Sequence, residues 1–240
     1  SVCVIMSKSG LQLLEDLIAE LENSVQASSI EVAATSSSSK PAKVSKSKEG
    51  KGDQKTSTAK APESKEKDPI TLSAIDLRVG VIRKVCKHET AEKLYCEEID
   101  VGEGENRPIA SGLVPYYSLE QMQDRKLIVV CNLKPRNLVG FKSHGMVLCA
   151  SKVDADGTHR VEFVDPPANS NPGDKIVAEG LPTMEPFTPS KCDKSKAFEM
   201  VAPGLKVDQD GVANWNGYRL VALPGGEGCT APTLRDANVA

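Results

Sequence analysis

No apolar run in this 240-residue sequence approaches the roughly 20 residues that a helix needs to cross a bilayer, so no helical span and no membrane partner is expected. Val2 to Met6 is too short for a signal peptide and lacks its basic flank. There is no phosphate-binding G-x-x-x-x-G-K-[ST] loop, no G-x-G-x-x-G fingerprint and no H-E-x-x-H helix, which leaves the common nucleotide- and metal-dependent enzyme classes without support. The seven cysteines are scattered and none forms a C-x-x-C pair, so no zinc site, no other metal and no cofactor is expected. Several lie inside apolar runs, where a free thiol behaves as a small hydrophobe; that usage suits a reducing cytosol, and a cytoplasmic location is expected. Aromatic residues make up only 4% of the chain, so a binding surface here must rest on charge and hydrogen bonds more than on stacking.

The net charge of −3 gives no whole-chain reason to expect a polyanion as partner. Its distribution says more. From Lys40 to Lys67 there are nine Lys against four acidic residues, whereas the first 39 residues carry Lys8 against Glu15, Asp16, Glu20, Glu22 and Glu31. A basic segment thus joins two acidic ones, and any polyanion site on the folded part must be a local patch.

Ser9 to Val25 reads as a helix. Ser9 and Gln12 fit a capping box, and Leu11, Leu14, Ile18 and Leu21 form an apolar stripe at helical spacing. So short a helix is marginal alone, and residues 1–30 are assigned to partner docking. Residues 31–68 are rich in Ser, Lys, Ala, Thr, Glu, Gly and Pro, and bury too little to fold; they read as a disordered linker. The chain begins at Ser1 rather than Met, consistent with a piece of something longer.

From Asp68 the texture changes. Leu77, Val79 and Val81 alternate before Ile82 and Val85 shift phase, which predicts one long strand with a bulge near Gly80. Further strands are predicted at Leu94 to Val101, Pro108 to Leu113, Lys126 to Cys131 and Gly145 to Val153, with a helical turn capped by Ser118 between the third and fourth. Arg160 to Val164 adds a hairpin arm after Asp156-Gly157. Five strands with a short helix after the third is the order of an OB-fold, a small Greek-key barrel that commonly binds nucleic acid. The fold class is therefore mainly β: a five-stranded OB-fold barrel over 69–175, a small C-terminal domain over 176–240 packed on it, and the N-terminal helix and linker ahead.

The apolar runs Leu127 to Val130 and Met146 to Ala150 frame a polar, basic loop with Asn132, Lys134, Arg136, Lys142, Ser143 and His144. Pro135 interrupts any ladder there. A loop on a stiff frame is the usual place for a binding surface, and these donors suit an acidic ligand. None is a nucleophile beside its base, so no enzyme activity is expected.

The same stretches carry a resemblance. Ile75 to Gly80, His88 to Tyr95, Glu97 to Gly102, Ser111 to Val114, Leu119 to Met122, Asn132 to Pro135 and Ser143 to Met146 occur in the order of the tRNA-binding domain. That domain is shared by stand-alone bacterial tRNA-binding proteins, by C-terminal extensions of some methionyl- and tyrosyl-tRNA synthetases, and by the eukaryotic multisynthetase-complex cofactor whose fragment is the endothelial monocyte-activating polypeptide. Lys194 to Glu199 and Val212 to Tyr218 resemble the extra C-terminal domain of the eukaryotic form. The resemblance implies that this domain mimics a dimer contact, so that the barrel acts as a monomer. Asn137, Val139 and Glu89 depart from the family's usual Lys, Arg and Pro, which bears on affinity more than on fold.

On the family's motif positions, Arg78, Lys87, Lys93, Lys134 and Arg136 are the candidate phosphate contacts. Asn132, Ser143 and His144 are candidates for phosphate, ribose or base edges. Tyr116-Tyr117 offers a base-stacking ring, with a structural role expected for at least one of the two. The resemblance implies tRNA and an aminoacyl-tRNA synthetase as partners, methionyl-tRNA synthetase or another member of the complex. Three function classes stand side by side: a non-catalytic tRNA-binding cofactor acting in trans, the truncated C-terminal arm of a methionyl-tRNA synthetase, and a cytokine-like or protein-interaction module on the same fold.

Overall fold

The computed structural model describes residues 70–240. The expected N-terminal helix, its stripe of Leu11, Leu14, Ile18 and Leu21, and the linker lie outside the described residues. The order begins with a 3-10 turn, Leu72–Ala74, then β1 (Leu77–Lys87), β2 (Tyr95–Asp100), β3 (Arg107–Ser111), α1 (Leu119–Met122) and β4 (Lys126–Val130). A hairpin of β5 (Arg136–Leu138) and β6 (Phe141–Ser143) follows, then β7 (Met146–Val147), β8 (Cys149–Val153), β9 (His159–Phe163) and β10 (Lys175–Ala178). The chain ends through α2 (Pro189–Ser195), α3 (Ala197–Val201), β11 (Leu205–Val207), β12 (Ala213–Trp215), β13 (Tyr218–Ala222), β14 (Glu227–Gly228) and β15 (Ala237–Val239).

β1 organises the barrel because it is long enough to serve two partners. Its first half pairs with β4, from Leu77 opposite Val130 to Val81 opposite Lys126. Its second half pairs with β2, from Val81 opposite Asp100 to Lys87 opposite Tyr95. The ladder shifts register between Ile82 and Lys84, not near Gly80 as the sequence pattern suggested. Gly80 instead permits close approach. A Cβ there would come within 2.8 Å of Ile99 and 3.0 Å of Val129, so its absence lets β1 lie close to its neighbours. Ile82, ahead of the bulge, falls on the opposite face from Val81 by ordinary strand alternation.

Two cores result. Ile82, Tyr95, Ile99, Ile109, Leu127, Val129, Val147 and Phe163 fill the barrel interior. Leu77, Val79, Ile128 and Val130 face the other way and pack with Phe198, Val201, Leu205, Leu220 and Val239 from the C-terminal segment. Both faces of β4 are therefore covered, which is why its sequence is an unbroken apolar run instead of an alternating one. Main-chain pairing joins the same two parts: β10 lies between β1 and β13, and β15 pairs with β8. The Ala240 and Cys149 backbones exchange hydrogen bonds of 3.0 and 2.9 Å.

The barrel is open at one seam. The expected fifth strand is split at Leu148, so that β7 pairs with β4 while β8 turns to β9 and β15. Between β3 and the segment entering β7 there is no ladder among the described residues. His144 N–H donates to Pro108 O at 2.9 Å, but Pro108 has no N–H to return the bond. Ala110 N–H donates to the Ser143 hydroxyl in place of a carbonyl. The seam is bridged by the main-chain bond from His144 and by the Ser143 side chain, and both residues belong to the loop the sequence singled out.

Candidate nucleic-acid interface

The loop between β4 and β7 is not irregular. Arg136 pairs with Ser143, Asn137 with Lys142 and Leu138 with Phe141, making a two-residue hairpin turned by Val139 and Gly140 at φ 49° and 91°. Positive φ at both central positions is the turn that matches strand twist. Gly140 is the half of this turn that the sequence shows, whereas Val139 stands where Asn or Asp is usual and gives no sign of a two-residue hairpin. Leu138 anchors the hairpin by packing with Ala91, Leu94 and Ala110.

The base of the hairpin is held by polar residues turned inward. Asn132 is buried: its Oδ1 accepts from Asp76 N–H at 2.9 Å, and its Nδ2 donates to Ala74 O and Phe187 O, each at 2.9 Å. Ser143 is buried too, accepting from Ala110 N–H and donating to Gly145 O at 3.0 Å. Arg107 reaches across to the Cys131 and His144 carbonyls at 2.6 and 2.9 Å while its other nitrogens hold Glu103. Arg78 grips the Asp76 carboxylate with Nε and Nη2 and Glu103 with Nη1. The bond to Asp76 is the main cause that raises the Arg78 pKa.

The eight residues the sequence grouped thus fall into two sets. Arg78, Asn132 and Ser143 spend their side-chain hydrogen bonds within the fold; His144 is half-buried, with its backbone tied to β3 and Arg107. Lys87, Lys93, Lys134 and Arg136 are exposed, as is Lys142 on β6. Lys93, Lys134, Arg136 and Ser143 line one groove of about 530 Å³. Lys87 ends β1, at the root of the loop that carries Lys93.

The groove's far wall comes from the C-terminal segment. Thr188 caps α2 by accepting from Lys191 N–H, and Lys196 in the left-handed conformation redirects the chain into α3. This turn brings Asp193, Lys196 and Phe198 to the groove opposite the hairpin. Lys134 Nζ is 3.2 Å from Asp193 Oδ2. Tyr116, 39% exposed, lines the groove, whereas Tyr117 is occupied within the fold. The Tyr117 hydroxyl accepts from Phe163 N–H, and its ring lies 4.4 Å from Phe163 between centroids. Sequence reasoning missed Arg107, Asp193 and Lys196, for which no local signal existed: their roles arise from elements brought together only by the fold. Among the described residues no cluster of His, Cys, Asp and Glu could hold a metal ion, and no helix is long and apolar enough to cross a membrane.

The arrangement suits a backbone ligand. Exposed cations on a braced hairpin attract phosphate, and one exposed tyrosine in the groove offers little base discrimination. Comparison with known proteins gives the chain's relatives. The family model described as "Putative tRNA binding domain" matches residues 77–175. The cytoplasmic methionine–tRNA ligase of Caenorhabditis elegans is 42% identical over 202 residues, 82% of this chain and 20% of that one. The aminoacyl tRNA synthase complex-interacting multifunctional protein 1 of Mus musculus is 38% identical over 179 residues, 75% of this chain and 55% of that one. The crystal structure of the C-terminal domain of Plasmodium vivax p43 aligns with a TM-score of 0.63 at 31% identity, covering 70% of this chain and 98% of that one. Against the two curated relatives, the chain spans between a fifth and about half of their length.

Proposed function

Because the chain belongs to the tRNA-binding-domain family, we propose that it is a non-catalytic protein that binds tRNA and delivers or retains it for an aminoacyl-tRNA synthetase. The observation that carries this reading is the groove, where Lys93, Lys134 and Arg136 converge on the rim of a hairpin whose base is fixed by Asn132, Ser143 and Arg107. Phosphate contacts position a nucleic acid without reading its sequence. The protein accordingly takes folded tRNA by shape and backbone, with little preference among species. Lys87 extends the cationic rim, and Tyr116 is available to stack on an unpaired base.

The barrel works as a monomer, since the C-terminal segment already pairs with β1 through β10 and with β8 through β15. The leucine stripe of Leu11, Leu14, Ile18 and Leu21 docks to the synthetase, methionyl-tRNA synthetase or another complex member, in the cytoplasm. Affinity purification of the tagged full chain, reading bound proteins and bound RNA together, tests both halves. The expected result is synthetase and tRNA in the eluate, with Leu14→Asp and Leu21→Asp together removing the synthetase and leaving the tRNA. Recovery of synthetase without tRNA from the unaltered chain would contradict the RNA reading.

A further inference from the structure

No spacing motif links Cys86 to Cys96, yet the β1–β2 ladder makes them direct register partners. The backbone also fixes which kind of partners they are. His88 N–H donates to Leu94 O at 2.9 Å. Hydrogen-bonded positions recur at every second residue of an antiparallel ladder, so 86 and 96 form a hydrogen-bonded pair with Cα atoms about 5.5 Å apart. A disulfide needs a Cα separation of roughly 4.4–6.8 Å. Direct partners project to the same face of the sheet, and the Cys86 Sγ lies 3.8 Å from Cys96 O, turned toward the partner strand. The neighbouring pair on that face, Lys84 and Glu98, forms an ion pair of 3.0 Å with both side chains well exposed, so solvent reaches the site. Cys86 is itself exposed and Cys96 half-buried, whereas Cys131, Cys149, Cys192 and Cys229 are buried.

We propose that Cys86 and Cys96 constitute a reversible dithiol–disulfide site, oxidised by a small disulfide of the glutathione class. Cys86, the accessible thiol, gives its proton to solvent and attacks one sulfur of the oxidant. The oxidant's S–S bond breaks, a mixed disulfide forms on Cys86, and the expelled thiolate takes up a proton. Cys96 then loses its proton and attacks the Cys86 sulfur, releasing the second small thiol. Two protein thiols are oxidised by two electrons, and one disulfide is reduced to two thiols. Burial pushes the Cys96 thiol up to about 11, which lowers the fraction of thiolate available for closure. The bond joins the two strand ends beneath the loop that carries Lys93, so it tethers one rim of the groove.

The test treats the reduced full chain with increasing glutathione disulfide at mildly alkaline pH, quenches with acid, alkylates the remaining thiols and maps peptides by mass. The expected result is a Cys86–Cys96 cross-linked peptide that grows with the oxidant ratio and disappears on adding reduced thiol. The variant Cys96→Ser should instead accumulate the glutathione adduct on Cys86. The wild-type measurement stands whether or not that variant folds. If the wild-type chain shows the adduct on Cys86 with Cys96 still alkylatable at every ratio, or cross-links only between chains, or does not react at Cys86, the proposal is overturned.

Discussion

Lys134 Nζ lies 3.2 Å from the carboxylate of Asp193, so a residue of α2 occupies the position in which a phosphate oxygen would meet this lysine. Both side chains are largely exposed, and such pairs contribute only about 0.2–1 kcal/mol. A phosphate can displace the carboxylate at that cost. Asp193→Asn should therefore tighten tRNA binding by about two- to fivefold at low salt, with the gain fading as salt screens both states. Filter binding at two ionic strengths checks it. An unchanged or weakened affinity would place the bound phosphate elsewhere.

Asn132 acts through the fold. Its side chain satisfies Asp76 N–H and the Ala74 and Phe187 carbonyls, groups that Asn132→Ala would leave without that partner. The expected loss is about 2–4 kcal/mol of stability, read as a lower urea midpoint at an unchanged slope. The folded fraction should keep most of its tRNA affinity. A large affinity loss with parental stability would instead make Asn132 a contact residue.

Glu97 gives the barrel a pH dependence. Its carboxyl is buried among apolar residues, with Ser111 donating to Oε1 and no partner for Oε2. Burial raises its pKa to about 8, against the partial offset from Ser111. The folded protein thus keeps a proton that the unfolded chain loses near its ordinary value of 4.5. The stability tied to this group is fully present below that value and is lost as pH rises through about 8. Between those limits it falls by about 1.4 kcal/mol per unit. Denaturation curves from mildly acidic to mildly alkaline pH should show the decline, and Glu97→Gln should remove it. A parental slope in that variant would assign the proton to another group.

The barrel's strands were legible because their periodicities are strong: Leu77, Val79 and Val81 alternate, and Leu127 to Val130 is apolar throughout. The bulge was misplaced because a glycine in a strand has two uses, and Gly80 serves close packing. In the C-terminal segment, β11 and β12 have three residues each. Three residues are too few to show a period, and β11 also depends on β15, distant in sequence, while β12 pairs with its neighbours β11 and β13. The candidate site was half legible. Exposed Lys93, Lys134 and Arg136 look in sequence as they do in space. Asn132 and Ser143 look like surface donors in a polar loop, and only the fold reveals that Ser143 bridges the seam of the barrel and that Asn132 ties the chain ahead of β1 to the segment ahead of α2.

On the proposed function, the hairpin after β4, not the basic segment between Lys40 and Lys67, is the principal tRNA contact. Each phosphate contact contributes about −0.7 to −0.9 to the log–log slope of affinity against salt. The decisive measurement is tRNA binding over a salt series by the full chain and by residues 69–240, each as parent and as Lys134→Ala with Arg136→Ala. The shorter chain should still bind. The double substitution should weaken binding of all tRNAs alike and flatten the slope by about one to two units in both lengths. Loss of binding by a folded 69–240 chain, or a double variant that keeps the parental slope, would contradict this assignment.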